Sequence, residues 1–140
     1  MGSMHYLAIG VGLFFVVAGL VKVAPIQPAH NQMVSAFGRY ASVFPLKMVG
    51  IQPAADMYRA LTGAAEILMG SLLAFGRYDW RSLSCLGLFV ITVGAVQTHL
   101  ALGDAVAEMF PALIAGGLLL ILLFHPNGFW GSRGGKLHLA

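Results

Sequence analysis

Four apolar segments, each about 20 residues long, constrain this sequence more than any other feature. They cover residues 6–24, 54–75, 83–102 and a last stretch that begins at Ala105 or Phe110 and ends at Phe124. A helix of about 20 mostly apolar residues crosses the hydrocarbon core of a bilayer and satisfies its own backbone hydrogen bonds there. The segments therefore predict an all-α polytopic membrane protein, a four-helix transmembrane bundle that forms one domain over residues 4–140.

The composition excludes several other classes of protein. Of the 140 residues, 59% are hydrophobic and 9% are charged, whereas soluble domains are about 25% charged. This balance excludes an ordinary soluble globule, and also disorder, which needs low hydrophobicity. The cations are spread along the chain instead of forming a basic run, so we expect a lipid bilayer and not a nucleic acid as the surrounding partner.

The sequence contains no motif of a known catalytic site. It has no P-loop, no HExxH and no GxSxG, whose fixed spacings are needed for phosphate binding, zinc binding and nucleophilic attack. Its one cysteine, Cys85, excludes a disulfide within the chain and a cysteine-rich metal site. We therefore expect no enzyme, with no catalytic residue, no metal and no cofactor.

Residues 1–3 precede a second methionine and are interpreted as a cloning remnant. The first apolar segment lacks a basic region before it, so we expect a retained membrane helix instead of a cleaved signal peptide. Residues 126–140 form a short tail. Four spans place both termini on one side, and the distribution of Lys and Arg predicts that this side is cytoplasmic.

The first loop, residues 25–53, is predicted to contain an amphipathic helix. Met33, Phe37 and Phe44 recur at helical spacing with polar residues between them, which is typical of a helix that lies on a membrane face. Pro28 would open this helix, which would end before Pro45. The three apolar residues are predicted to anchor the loop; the alternative is an ordered connector without a function of its own.

Glycines recur seven residues apart in three of the apolar segments. Two helical turns return a side chain to nearly the same face, so each pair marks a stripe where a second backbone can approach closely. The pairs predicted to pack helices are Gly12 and Gly19, Gly63 and Gly70, and Gly87 and Gly94.

Glu66 lies near the middle of the second apolar segment. A carboxylate at that depth is costly unless it faces the bundle interior and is hydrogen-bonded or protonated. A count of helical rise places Lys22 roughly 10 Å nearer than Glu66 to the first-loop end of the bundle. A direct pair therefore requires the Lys22 side chain to reach inward, or the first helix to lie more deeply in the membrane. Glu66 is interpreted either as an interhelical hydrogen-bonding residue or as a functional one.

The other polar residues of the spans gather at the end of the bundle that carries the first loop. His99 alone is a poor zinc site, because no second histidine follows at helical spacing; hydrogen bonding is the alternative to a functional role. The polar cluster proposed for function, as a client contact or another functional site, comprises Lys22, Arg59, Glu66, Gln97, His99 and Asp104.

Some of these residues carry a resemblance to a known family. The stretch GLFFVVAGLVK at 12–22, followed by Pro25, and GAAEILMG at 63–70 resemble the first two helices of the DoxX-like superfamily. VFPLK at 43–47, GIQP at 50–53, Tyr58, His99 and the Gly103–Asp104 pair are similar to the vertebrate transmembrane protein 35 (NACHO) family. The resemblance covers nearly all of the chain from the first to the last apolar segment.

The resemblance implies a chaperone or assembly factor embedded in a membrane, the endoplasmic reticulum membrane in a eukaryote. It implies clients among oligomeric membrane proteins, above all subunits of pentameric ligand-gated channels such as nicotinic acetylcholine receptors, and it leaves homo-oligomerisation open. Two alternatives remain: a DoxX-like accessory membrane subunit of a redox or quinone-linked system, and a small proton-coupled transporter.

Overall fold

The computed structural model describes residues 2–44, 47, 49–51 and 53–130. These residues form helices and no strand, which confirms the all-α prediction. Three of the helices, the first, fourth and fifth, are long and apolar enough to cross a membrane. The helices are α1 (Ser3–Val23), α2 (Ala29–Ala41), α3 (Ala55–Phe75), α4 (Tyr78–Leu102) and α5 (Val106–Phe124).

Helix α3 has the length of a membrane span but is less apolar than the others. It contains 21 residues, as many as α1, and three of its side chains are charged: Asp56, Arg59 and Glu66. The charged side chains lower its mean hydropathy, so the fourth span stays a prediction.

Helix α2 is the amphipathic helix predicted in the first loop. It follows Pro28 directly and ends at Ala41, whereas Pro45 lies outside the described residues. Phe37 is buried while Arg39 on the same helix is exposed. Because α2 packs against α3 and also touches α1 and α4, it lies across one end of the bundle.

The third apolar helix begins earlier than predicted. The sequence places its start at Leu83, but α4 starts at Tyr78 and only Gly76 and Arg77 connect it to α3. The polar residues before Leu83 suit the first turn of a helix, because Asp79 there interacts favourably with the helix dipole.

Helix α5 begins at Val106, close to the earlier of the two predicted starts. Pro111 lies inside it, and a proline has no N–H to give to the carbonyl four residues before it. After α5, the first residues of the predicted tail fold back, since Phe129 N donates to Leu122 O at 2.7 Å. Residues 131–140 of that tail lie outside the described residues.

Helices α1 and α3 run antiparallel with their backbones in close contact. A Cβ added at Gly12 would lie 2.5 Å from Gly70 O, and one added at Gly19 would lie 2.5 Å from Gly63 O. Real Cβ atoms do not approach so closely, so only glycine permits this spacing. We call this contact the glycine seam, formed by Gly12, Gly19, Gly63 and Gly70.

The third predicted glycine pair does not join two backbones. A Cβ at Gly87 would meet the Met69 Sδ atom at 2.4 Å, and a Cβ at Gly94 would have nothing within 4 Å. The close helix packing predicted at Gly94 is therefore absent, because this face of α4 borders open space.

The densest packing lies at the end of the bundle opposite α2. The buried cluster there combines the first half of α1, the end of α3, the start of α4 and the end of α5. Its largest fully buried side chains are Leu73, Cys85, Leu88, Leu119, Leu122 and Leu123. The end covered by α2 is packed less densely and contains a cavity.

A methyl group at Gly12 tests the glycine seam. We expect Gly12→Ala to lower the free energy of unfolding by about 1–3 kcal/mol, because the added Cβ meets backbone atoms of α3 that cannot move aside. Thermal unfolding in detergent micelles measures the change. Gly10→Ala is the matched control, since a Cβ there has nothing within 4 Å and alanine favours the helix. Equal stability of the two variants would contradict the seam.

Candidate functional site

A cavity of about 490 Å³ lies beneath α2. Its wall brings together residues from every helix of the bundle, including the predicted loop anchors and part of the predicted polar cluster. Of the sequence-predicted residues, it is lined by Lys22, Met33, Phe37, Phe44, Glu66, Gly94 and His99. The loop anchors and the buried polar residues therefore face one common space.

Lys22 and Glu66 form a direct ion pair at the cavity wall. Lys22 Nζ lies 2.6 Å from Glu66 Oε1, and the two side chains are only 12% and 7% exposed. The ammonium also donates a hydrogen bond to Ala18 O at 3.1 Å. This buried pair joins α1 to α3 beside the glycine seam.

The direction of the side chains explains why the pair forms despite the predicted difference in depth. A helical side chain leans toward the N-terminus of its own helix. Because α1 and α3 are antiparallel, Lys22 leans inward from the end of α1 while Glu66 leans back toward the same end of the bundle. Of the two routes to a direct pair, the structure has the one in which Lys22 reaches inward.

Arg59 holds the last turn of α1 to the first turns of α3. Its Nε donates to Lys22 O at 2.9 Å, and its Nη1 contacts Asp56 Oδ1 at 2.7 Å. The Lys22 carbonyl has no partner within α1, as is usual for the last turn of a helix. Arg59 therefore caps α1 and fixes the position of Lys22 through the backbone.

Asp104 links α2 to the connection between α4 and α5. Its Oδ1 accepts from Arg39 Nη2 at 2.6 Å, and its Oδ2 lies 2.8 Å from His99 Nδ1. An ionised carboxylate only accepts hydrogen bonds, so Nδ1 of His99 carries the proton. These two contacts tie α2 over the mouth of the cavity.

The electrostatics of this link favour the charged carboxylate. The hydrogen bond from His99 and the guanidinium of Arg39 lower the pKa of the Asp104 carboxyl below its ordinary value. The same hydrogen bond raises the pKa of Arg39. The link is therefore an ionised one at neutral pH.

Aromatic rings form a continuous chain along the underside of α2. Phe44 meets Tyr58 edge to face, Tyr58 meets Phe37, and Phe37 meets Tyr40, with ring centroids 5.0–5.2 Å apart. Tyr40 then meets the His99 ring at 5.5 Å. Edge-to-face contacts of this kind stabilise aromatic clusters beyond simple burial, so the chain helps to fix α2 on α3.

Curated proteins of known name resemble the chain along most of its length. It is 28% identical over 116 residues to the novel acetylcholine receptor chaperones of Macaca fascicularis and Mus musculus, which is 81% of this chain and 68% of each relative. The corresponding protein of Xenopus tropicalis has the same identity and is covered over 70% of its length. The chain is thus similar to the novel acetylcholine receptor chaperones along most of its length.

These chaperone homologues confirm the resemblance to the transmembrane protein 35 (NACHO) family. No family model matches the chain, so the wider DoxX-like resemblance stays a prediction. The matched 116 residues are too many to be confined to the first loop or to any single helix.

One predicted site residue stands apart from the others. Gln97 is exposed and does not line the cavity, because its position on α4 turns it away from the face that carries Thr98 and His99. The structure therefore does not place Gln97 in the polar cluster.

Two residues of the site were not predicted from the sequence. Arg39, the partner of Asp104, is one of the polar residues between the predicted loop anchors and was not given a role, and His30 was not singled out. His30 Nδ1 lies 3.0 Å from Val21 O and connects α2 to the last turn of α1. Helical spacing gives the face on which a residue lies, but the partner depends on how α2 folds back onto the bundle.

The Lys22–Glu66 pair is tested by comparing single and double variants. We expect Glu66→Leu to lower the free energy of unfolding by about 3–5 kcal/mol, because it leaves a buried ammonium without a counter-charge. The double variant with Lys22→Met removes both charges and should recover most of that loss. Chemical denaturation in micelles measures the difference. A double variant less stable than both single variants would contradict the model of one coupled pair.

The link through Asp104 predicts a pH-dependent stability. The folded pKa of Asp104 is lowered, so its contribution is fully present above its unfolded pKa of about 4 and is lost as the pH falls through the lower folded value. The difference in melting temperature between wild type and Asp104→Asn should persist from pH 7 to about pH 5 and shrink below about pH 4. Glu108→Gln, which alters an exposed carboxylate four residues later, is the control. A difference that persists undiminished at pH 2 would rule the link out.

Proposed function

We propose that this protein is a membrane-embedded chaperone or assembly factor for oligomeric membrane proteins. The observation that carries the proposal is its similarity, over 81% of its length, to proteins named acetylcholine receptor chaperones. Subunits of pentameric ligand-gated receptors, nicotinic acetylcholine receptors above all, are the proposed clients. The role is not enzymatic: the protein binds an unassembled subunit until a sibling subunit replaces it.

The proposal includes a membrane bundle of four helices with α3 as the fourth span. The length of α3 and its tight seam with α1 support this arrangement. The charged side chains of α3 are compatible with a membrane span, because Asp56 and Arg59 lie in its first turns and Glu66 is paired with Lys22. Four spans place both termini on one side, proposed to be the cytoplasmic side of the endoplasmic reticulum membrane in a eukaryotic cell.

The exposed apolar faces of the helices are the proposed contact surface for a client. Leu61 and Leu68 of α3 are more than 60% exposed, as is Val90 of α4. Side chains of this kind pack equally well against lipid or against a transmembrane helix, so small gains in shape matching favour a client. Lipid and a client helix can each cover these apolar side chains, so a client can bind there transiently.

In this proposal the polar cluster shapes the contact surface without touching the client. Lys22 and Glu66 are buried, Arg59 caps α1, and Asp104 and His99 secure α2. Each of these residues sets the position of one helix relative to another. Loss of any of them is expected to alter the surface formed by those helices.

Receptor assembly in cells tests the proposed function. A nicotinic receptor subunit is expressed with wild-type protein, Glu66→Ala or Glu66→Gln in cells without an endogenous chaperone of this family, and surface receptor is measured by toxin binding. We expect wild type to raise surface receptor several-fold and Glu66→Ala to lose most of that gain, because Lys22 loses its counter-charge. Glu66→Gln keeps the shape of the side chain and should lose less.

Gln97→Ala is the matched control, because Gln97 is exposed and does not line the cavity. The amount of each variant in the membrane is measured in parallel to separate folding from function. No rise in surface receptor with wild type would overturn the chaperone proposal. Equal surface receptor with wild type and Glu66→Ala would remove Glu66 from the mechanism.

A further inference from the structure

A second cavity adjoins the one beneath α2. It measures about 430 Å³, lies between α1 and α5, and has an almost wholly apolar lining. Phe14, Pro111 and Ala115 line both cavities. The apolar groove on the side of the bundle therefore borders the cavity under α2 at these three residues.

The groove opens toward the position of the bilayer. Tyr6, Phe14 and Ile114 on its rim are at least half exposed, and α1 touches α5 only slightly compared with its long contact with α3. An apolar molecule in the membrane can thus reach the groove laterally, next to the cavity under α2. Each of the two spaces is in the size range of sites that hold a small molecule.

The deep end of the cavity offers one hydrogen-bond acceptor and one donor side by side. Glu66 is 5% exposed, and its Oε1 lies 2.6 Å from the Lys22 ammonium. A carboxylate offers about four lone-pair sites and an ammonium three N–H groups, and the ammonium also donates to Ala18 O. The pair therefore keeps capacity for a further hydrogen bond at the cavity wall, and a ligand group that donates to Glu66 and accepts from Lys22 is stabilised there.

The charges of the lining select the kind of head group. Lys22 and Glu66, which both line the cavity, offset each other's charge across 2.6 Å, so a charged head group beside them is attracted by one and repelled by the other. A hydroxyl is neutral, donates to Glu66 Oε1 and accepts from Lys22 Nζ. We propose that the cavity binds a neutral lipid with a hydroxyl head group, which enters from the bilayer between α1 and α5.

This proposal does not depend on the proposed chaperone function, because binding is measured on the purified full chain without a receptor subunit. Two photoreactive probes are used: a diazirine sterol with a free 3-hydroxyl and a diazirine octadecanol. Labelled peptides are identified by mass spectrometry. Labelling by the sterol alone, the alcohol alone or both supports the proposal and distinguishes ring lipids from chain lipids as the source.

Competition experiments test the head group. We expect the unlabelled alcohol to compete about tenfold more strongly than its methyl ether, since the ether cannot donate to Glu66. Palmitate and octadecylamine should compete less well than octadecanol. Equal competition by alcohol and methyl ether, or stronger competition by either charged lipid, would overturn the proposal.

Filling the cavity tests the location. A Cβ at Gly94, which lines the cavity, has nothing within 4 Å, so Gly94→Leu is expected to fold and to abolish labelling. Gly117→Leu is the matched control: its position is equally open and lines neither cavity. Equal labelling of the two variants would refute the site. If Gly94→Leu does not fold, the competition series on the wild type still decides the proposal.

Discussion

The close approach of α1 and α3 is the constraint on which the rest of the structure depends. Carbonyl groups of one helix lie where the Cβ atoms of the other would be, at Gly12 and again at Gly19. Such proximity makes van der Waals contact along the two backbones, the main attraction available between apolar helices in lipid. It also brings Lys22 within reach of Glu66.

A second consequence concerns the space that this pairing leaves. Because α1 packs along its length against α3, it has little contact with α5, and the gap between α1 and α5 forms the apolar groove. Helix α2 then covers the polar end of that gap through Arg39, His30 and the aromatic chain. The pairing of α1 with α3 thus accounts both for the tight packing on one side of α1 and for the open space on the other.

Hydrophobic runs predicted the helical class, and the spacing of Met33, Phe37 and Phe44 predicted α2, because both patterns depend only on neighbouring residues. The pair between Lys22 and Glu66 was harder to predict, since a count of helical rise locates Cα atoms and omits the lean of side chains toward each N-terminus. Gly94 shows another limit: seven-residue spacing identifies a face but not whether a helix stands opposite it. The link from Arg39 to Asp104 depends on how a whole segment folds back, which no local pattern encodes.

The uneven distribution of packing along the bundle has a mechanical consequence. Leu73, Leu88 and Leu119 fill the end opposite α2 without solvent exposure, and a close-packed interior of this kind resists deformation. The end under α2 encloses a cavity instead, so α4 and α5, which line it away from the glycine seam, can shift there without compressing α1 and α3. In a membrane, one leaflet would then surround the rigid half of the molecule and the other leaflet the compliant half. A change in the shape of the protein would therefore disturb one leaflet only.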